Sequence, residues 1–221
     1  MQTDIIYSMK REMLRRRYSI RTIQSYIWCV NKFFKQCHKD PQRVSKKDVK
    51  EYLEDMALRN KAGSTINIHL SAIRFMLEET LRKDINLKFR YSKRPKSLPT
   101  VLTKDETRRL FQAVKNKKHK LMVELMYSAG LRLSELLNLR VRDFDEKNGW
   151  VRKGKGNKDR PFIVADKLKK RIEDYIEEEK LRDSDYLFIG WDGRMHPRTI
   201  QEIIKKQQRK QKSKRMFILI L

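Results

Sequence analysis

The chain has 221 residues, with 54 Lys and Arg against 28 Asp and Glu, a formal net charge of +26. That length holds one large domain or two small ones with a core each, and the charge excess points to a polyanion, either nucleic acid or an acidic membrane. No apolar run approaches the roughly 20 residues a membrane span needs, and Cys29 and Cys37 resemble neither a disulfide framework nor a metal cluster. A soluble protein of a reducing cytoplasm is expected.

Ile5, Ile6, Met9 and Met13 recur at helical spacing, and the basic cluster Arg15, Arg16 and Arg17 closes this first helix. Ser19 is placed to cap a second helix, with Ile23, Tyr26, Ile27, Val30, Phe33 and Phe34 along one face. Ser45-Lys46-Lys47-Asp48 opens a third, with Val49, Tyr52, Leu53 and Met56 inward. Gly63-Ser64 breaks the pattern, and Ile66, Leu70, Ile73 and Leu77 line a fourth. Four short amphipathic helices predict a small bundle over residues 1–89. Its first 50 residues carry 13 basic groups and 4 acidic ones, a surplus suited to phosphate contact or to a solvated surface.

Residues 90–100 hold two prolines and several basic side chains, Arg94 and Lys96 among them, with almost no apolar content. This composition predicts an extended linker rather than a packed element. Thr103-Lys104-Asp105-Glu106 is a capping box that opens a second domain over 101–208. Helices are expected at about 104–115, 119–129 and 167–180. Between them, Trp150 to Arg152 and Phe162 to Val164 flank a Gly-rich turn and read as a β-hairpin. Tyr186 to Ile189 is a short apolar run, and a last helix after Pro197 turns Ile200, Ile203 and Ile204 inward. Residues 209–221 change character, from a basic run to Met216-Phe217-Ile218-Leu219-Ile220-Leu221. That tail reads as aberrant, as after a frameshift or premature stop, or as an amphipathic segment for a partner.

Tyr127-Ser128-Ala129-Gly130-Leu131-Arg132-Leu133-Ser134-Glu135-Leu136 organises the second domain. Gly130 is suited to end one helix in the left-handed conformation and Ser134 to cap the next. Arg132 then hangs from a rigid elbow, suited to bidentate phosphate binding or standing as a plain surface arginine. Its Ala129-Gly130-Leu131-Arg132-x-Ser134-Glu135-Leu136 run resembles the first arginine box of the tyrosine recombinases, the lambda-integrase and Xer family. Some 23 residues beyond Arg132, Gly154-Lys155-Gly156-Asn157-Lys158-Asp159-Arg160 resembles the lysine-bearing β-hairpin of the same family.

The resemblance implies a mainly α fold with a small β-sheet. An N-terminal four-helix, SAM-like core-binding domain would precede an incomplete α+β catalytic domain, with the linker crossing the DNA between two clamp halves. It implies double-stranded DNA and further recombinase protomers as partners, and strand cleavage through a 3′-phosphotyrosine without metal or nucleotide cofactor. Arg132 would hold the scissile phosphate, Glu135 would orient it or merely favour the helix dipole, and Lys155 would be the general acid or a mobile basic tip. Lys158, Arg160, Arg15, Arg16, Arg17, Arg94 and Lys96 would contact the DNA backbone.

The family's second half, a His-x-x-Arg box and a nucleophilic tyrosine, is expected after the helix that follows Pro197. His196-Pro197-Arg198 has the wrong spacing for the box and reads as a helix-start contact. The last tyrosine is Tyr186, and Tyr127, five residues before Arg132, reads as a core residue. A chain that binds DNA but lacks its nucleophile is expected. A non-catalytic competitor for recombination sites is the alternative, and an RNA-binding or membrane-surface protein a more distant one.

Overall fold

Nine α-helices and two small antiparallel hairpins are seen in the computed structural model, which describes residues 2–83, 89–93, 103–145, 148–152, 154, 158–191 and 193–211. They fall into two units, Met1–Lys96 and Ser97–Leu221. The mainly α fold with a small β element matches expectation. Among the described residues no helix is long and apolar enough to cross a membrane.

The first unit consists of α1 (Gln2–Arg15), α2 (Ile20–Cys37), α3 (Lys46–Leu58) and α4 (Gly63–Arg74), with a 3-10 turn at Pro41–Arg43. Side chains close the helix starts where the sequence places them. The Ser19 hydroxyl accepts from the Thr22 N–H at 3.1 Å. Ser45 and Asp48 form a reciprocal capping box, and Lys39 donates to Asp48 at 2.6 Å. Met9, Met13, Val30, Phe33 and Ile73 are fully buried, as one-sided stripes on packed helices require. Each such side chain contributes roughly 1.5–3 kcal/mol by leaving water.

Three features depart from the sequence reading. Helix α4 does not simply continue past Arg74 but widens into a π turn, Phe75–Thr80. The wider turn lets three successive side chains, Phe75, Met76 and Leu77, all reach the core. Gly63, read as a break, is the first residue of α4, and a Cβ there would lie 2.9 Å from the Lys93 carbonyl oxygen, so the close approach of that segment favours glycine. Tyr91 to Lys93, read as extended linker, are fastened along that helix. The buried Asn67 amide donates to Ser92 O at 3.1 Å and accepts from Ser92 N–H at 2.7 Å, satisfying both its groups on one backbone unit.

A buried imidazole lies in the same unit. His69 is 1% exposed, shares a 2.9 Å hydrogen bond between Nδ1 and the Tyr52 hydroxyl, and packs against the Trp28 ring at a tilted angle. Burial, aided by the Lys32 ammonium, holds His69 below its ordinary value of 6.5. Burial pushes the Tyr52 hydroxyl up to about 12. The unfolded imidazole therefore takes up a proton that the folded one resists, and this contribution to stability is full above pH 6.5 and is lost as pH falls below it. Urea midpoints of the wild type should fall more steeply from about pH 7.5 to 5.5 than those of His69→Gln. Equal slopes would show that the ring charges freely in place.

The second unit holds α5 (Lys104–Ala113), α6 (Lys117–Ala129), α7 (Leu133–Asn138), α8 (Asp166–Glu178) and α9 (Pro197–Gln211). Hairpin β1 (Asn148–Val151) with β2 (Arg160–Ile163) is antiparallel, in the register Gly149↔Phe162 and Val151↔Arg160. A second small hairpin pairs β3 (Ile189–Gly190) with β4 (Gly193–Arg194). Thr103 and Glu106 form the expected capping box at the start of α5. Leu125, Leu136, Leu187 and Phe188 fill the core, which α6, α7, α8 and α9 enclose.

Candidate active site

The elbow forms where α6 meets its stop. Gly130 takes φ +57, the left-handed cap that a Cβ would strain. Leu131 then drops into the core at 4% exposure and fixes the corner. The cap of α7 is Arg132, not Ser134, which lies inside the helix. The reason is Glu135 at the third helical position. Its Oε2 accepts from the Arg132 backbone N–H at 3.1 Å, the carboxylate half of a capping box. Its Oε1 accepts from the Arg132 guanidinium at 2.7 Å, so one carboxylate holds both the backbone and the side chain of the elbow.

Arg160, 25 residues further on, converges on the same carboxylate. It opens β2, and its Nη2 donates to Glu135 Oε2 at 2.8 Å and to the Gly130 carbonyl at 3.3 Å. Exposure separates the roles: the Glu135 side chain is 3% exposed, those of Arg160 and Arg132 38% and 58%. Burial alone would push the Glu135 carboxyl up, but hydrogen bonds from the Arg132 backbone, the Arg132 side chain and Arg160 hold it below the ordinary carboxylate value. Two guanidinium groups against one carboxylate leave the elbow with a net positive charge, and its most accessible part is Arg132. Such an arrangement can hold an anion without giving up its internal support.

Lys155 lies outside the described residues, as do Arg94 and Lys96. The frame around Lys155 is visible. The Gly154 N–H donates to the Lys158 carbonyl at 3.0 Å, and a Cβ on Gly154 would sit 3.5 Å from Glu135 Oε1. Tighter are the Lys158 carbonyl oxygen at 3.0 Å and Val151 Cγ1 at 3.2 Å from such a Cβ, so glycine suits the closed base of the turn. Lys158 is exposed, and Arg152 stacks on Trp150 and pairs with Asp159 at 3.4 Å.

Of the other residues picked from the sequence, Arg15, Arg16 and Arg17 belong to the first unit. Arg15 pairs with Glu12, and Arg16 pairs with Glu12 and Glu79 and lies over the Phe75 ring. Arg17 is exposed just past the end of α1. Tyr127 is not a core residue. It is 44% exposed and meets Phe111 edge to face, because the buried stripe of α6 runs through Leu121, Met122, Leu125 and Met126 and leaves position 127 outside. His196 does act as a helix-start contact, its Nδ1 accepting from the Arg198 N–H at 3.2 Å. Among the described residues, no three His, Cys, Asp or Glu side chains gather closely enough to hold a metal ion.

The model of the phage integrase family matches residues 100–217, and that of the phage integrase N-terminal SAM-like domain matches residues 5–87. The chain is a member of the phage integrase family. Its two matches fall on the two units, and each hairpin and helix around the elbow lies within the integrase match. Among curated proteins, similar members are the tyrosine recombinase XerA of Pyrococcus horikoshii, 31% identical over 87% of this chain and 68% of the relative, and a tyrosine recombinase of Pseudothermotoga lettingae, 33% identical over 86% and 71%. The putative integrase/recombinase y4qK of Sinorhizobium fredii is 32% identical over 89% of this chain and 65% of its own length. The chain therefore spans about two thirds of these relatives. The integrase fold itself is evident in a lambda integrase tetramer bound to a Holliday junction. That likeness has a TM-score of 0.73 at 15% identity, over 93% of this chain and 65% of that one.

Proposed function

We propose that these 221 residues are the DNA-engaging part of a site-specific tyrosine recombinase, and that they bind duplex DNA with Arg132 on the scissile phosphate. The carrying observation is the Arg132–Glu135–Arg160 cluster, which keeps one guanidinium outward on a rigid corner with net positive charge. Arg132 binds the non-bridging oxygens as charge builds in the transition state. Lys155, on the adjoining turn, protonates the departing 5′-oxygen while a tyrosine takes the phosphorus and leaves a 3′-phosphotyrosine. Arg15, Arg16, Arg17, Arg94, Lys96 and Lys158 meet the DNA backbone and set affinity rather than sequence preference. Further protomers share the DNA, as in the lambda integrase tetramer.

The nucleophile is not among the residues in hand. No His-x-x-Arg sequence occurs in the chain, and no tyrosine follows Tyr186. Tyr127 shares the surface of α6, but its ring is engaged by Phe111. On a suicide duplex nicked beside a cleavage position, the 221-residue chain should bind yet leave no covalent band after denaturation. A denaturant-resistant phosphotyrosyl band would overturn this and move the search to the eight tyrosines present. Tighter binding to anionic vesicles or to RNA than to duplex would overturn the DNA assignment itself.

Arg132→Ala should lower duplex affinity about tenfold or more, the worth of a charge-assisted hydrogen bond to phosphate. Stability should change by about 1 kcal/mol or less, because the side chain is largely exposed and Glu135 keeps Arg160 and the backbone N–H. Melting of the second unit in this variant, with affinity unchanged at low temperature, would make Arg132 a structural ion-pair member instead.

A further inference from the structure

We propose that Arg160 is a positioning residue. By neutralising Glu135 and bracing the elbow, it keeps the Arg132 guanidinium available to phosphate, rather than contacting DNA itself. The inference rests on the reading of Arg132 as a phosphate ligand and replaces the backbone contact expected of Arg160 from sequence alone.

Three observations carry it. Arg160 Nη2 is directed inward, at a carboxylate whose side chain is 3% exposed and at the carbonyl of the residue that ends α6. It thus joins β2 to both sides of the corner that presents Arg132. Next, Glu135 divides its oxygens. Oε1 goes to the Arg132 side chain, while Oε2 is shared by the Arg132 backbone and Arg160. Without Arg160, that second oxygen faces a single backbone N–H. The Arg132 fork, pairing best with both oxygens of a carboxylate, would close on Glu135. Finally, the charge count changes. Two cations on one anion leave a surplus of one at the elbow, and deleting Arg160 removes that surplus. A buried anion with one partner then holds that partner more tightly than an exposed phosphate can.

The position of Arg160 also ties the elbow to the segment that bears Lys155. Val151 and Arg160 are register partners, so the pair closes the base of that turn. Within it, the Gly154 N–H donates to the Lys158 carbonyl at 3.0 Å. Arg160 therefore joins the base of that hairpin to the arginine elbow through Glu135 and the Gly130 carbonyl.

The test is a double-mutant cycle on the full chain, read as affinity for a fluorescein-labelled random-sequence duplex and as the slope of affinity against salt. Arg160→Ala should cost about tenfold or more and reduce the salt slope by about 0.9, as one phosphate contact is lost when Arg132 is captured. Glu135→Gln keeps a cap acceptor but removes the charge, so the Arg160→Ala/Glu135→Gln double variant should regain affinity and slope close to those of the wild type. A direct phosphate contact by Arg160 predicts the opposite: the double variant keeps the full loss of Arg160→Ala. Equal losses in the two backgrounds would overturn the proposal.

Should Arg160→Ala fail to fold, Arg160→Lys serves. It keeps a point charge that suffices for phosphate but lacks the fork that spans Glu135 and Gly130. Loss of affinity in a folded Arg160→Lys supports positioning, and wild-type affinity overturns it. Arg132→Ala, measured alongside, separates the two levels. If that variant binds as the wild type does, the phosphate reading of the elbow fails on its own account, whatever the cycle returns.

Discussion

Affinity for duplex DNA is expected to fall about a thousandfold between roughly 50 and 200 mM salt. The argument is one of charge left over. Many cations are already engaged: Arg16 with Glu12 and Glu79, Arg59 with Asp55, Lys117 with Glu178, and Arg171 with Glu124. Even with every acidic group matched, a surplus of 26 cations remains. If about a quarter of these displace counterions from phosphate, some six contacts form, and the linear dependence on the logarithm of salt concentration gives the thousandfold loss. A fluorescence titration at four salt concentrations measures the slope. An affinity unchanged over that range would mean that the surplus serves something other than DNA.

Gly149→Ala is expected to destabilise the second unit by about 3 kcal/mol, at the upper end of the usual cost of overpacking. A Cβ there would stand 2.2 Å from Cζ of Phe162 and within 2.8 Å of two other ring atoms, so the ring has to leave. It has little room. Phe162 is 6% exposed and meets Phe144 edge to face at 5.9 Å. Urea denaturation followed by tryptophan fluorescence, with Trp150 on the same strand, reads the change. A loss under about 0.5 kcal/mol would show that the ring swings aside at little cost. Phe162→Leu in the alanine background should recover part of the loss, since the clash lies with the ring.

The helix starts and stops were legible because their causes are local. Ser19, Ser45 and Thr103 each sit within three residues of the N–H they satisfy, and Gly130 acts through its own φ. Where two local rules competed, the sequence misled: Ser134 is a good cap type, but Glu135 reaching back makes Arg132 the cap. Tyr127 followed an apolar stripe closely enough to pass for core and lies just beyond its edge. The convergence of Arg160 on Glu135 spans 25 residues and a strand pairing, so no spacing rule reveals it. The same holds for the clasp between Asn67 and Ser92. A clue was present in each case, a buried-looking polar residue on an apolar helix, which needs a partner from somewhere. The family motifs gave the site its outline, while the roles of its supporting residues came from distance and burial.

The ring over Gly149 also governs how this hairpin can change over evolutionary time. Sliding β1 by one residue would bring Asn148 or Trp150 beneath Phe162 and turn each face of the strand over, so the two strands are locked in phase. Insertions and deletions between Val151 and Arg160 must then be absorbed by the turn. Arg160 then stays on Glu135 and the elbow stays where it is. A change in the number of residues between the strands therefore leaves the strand pairing and the Arg132–Glu135–Arg160 corner as they are.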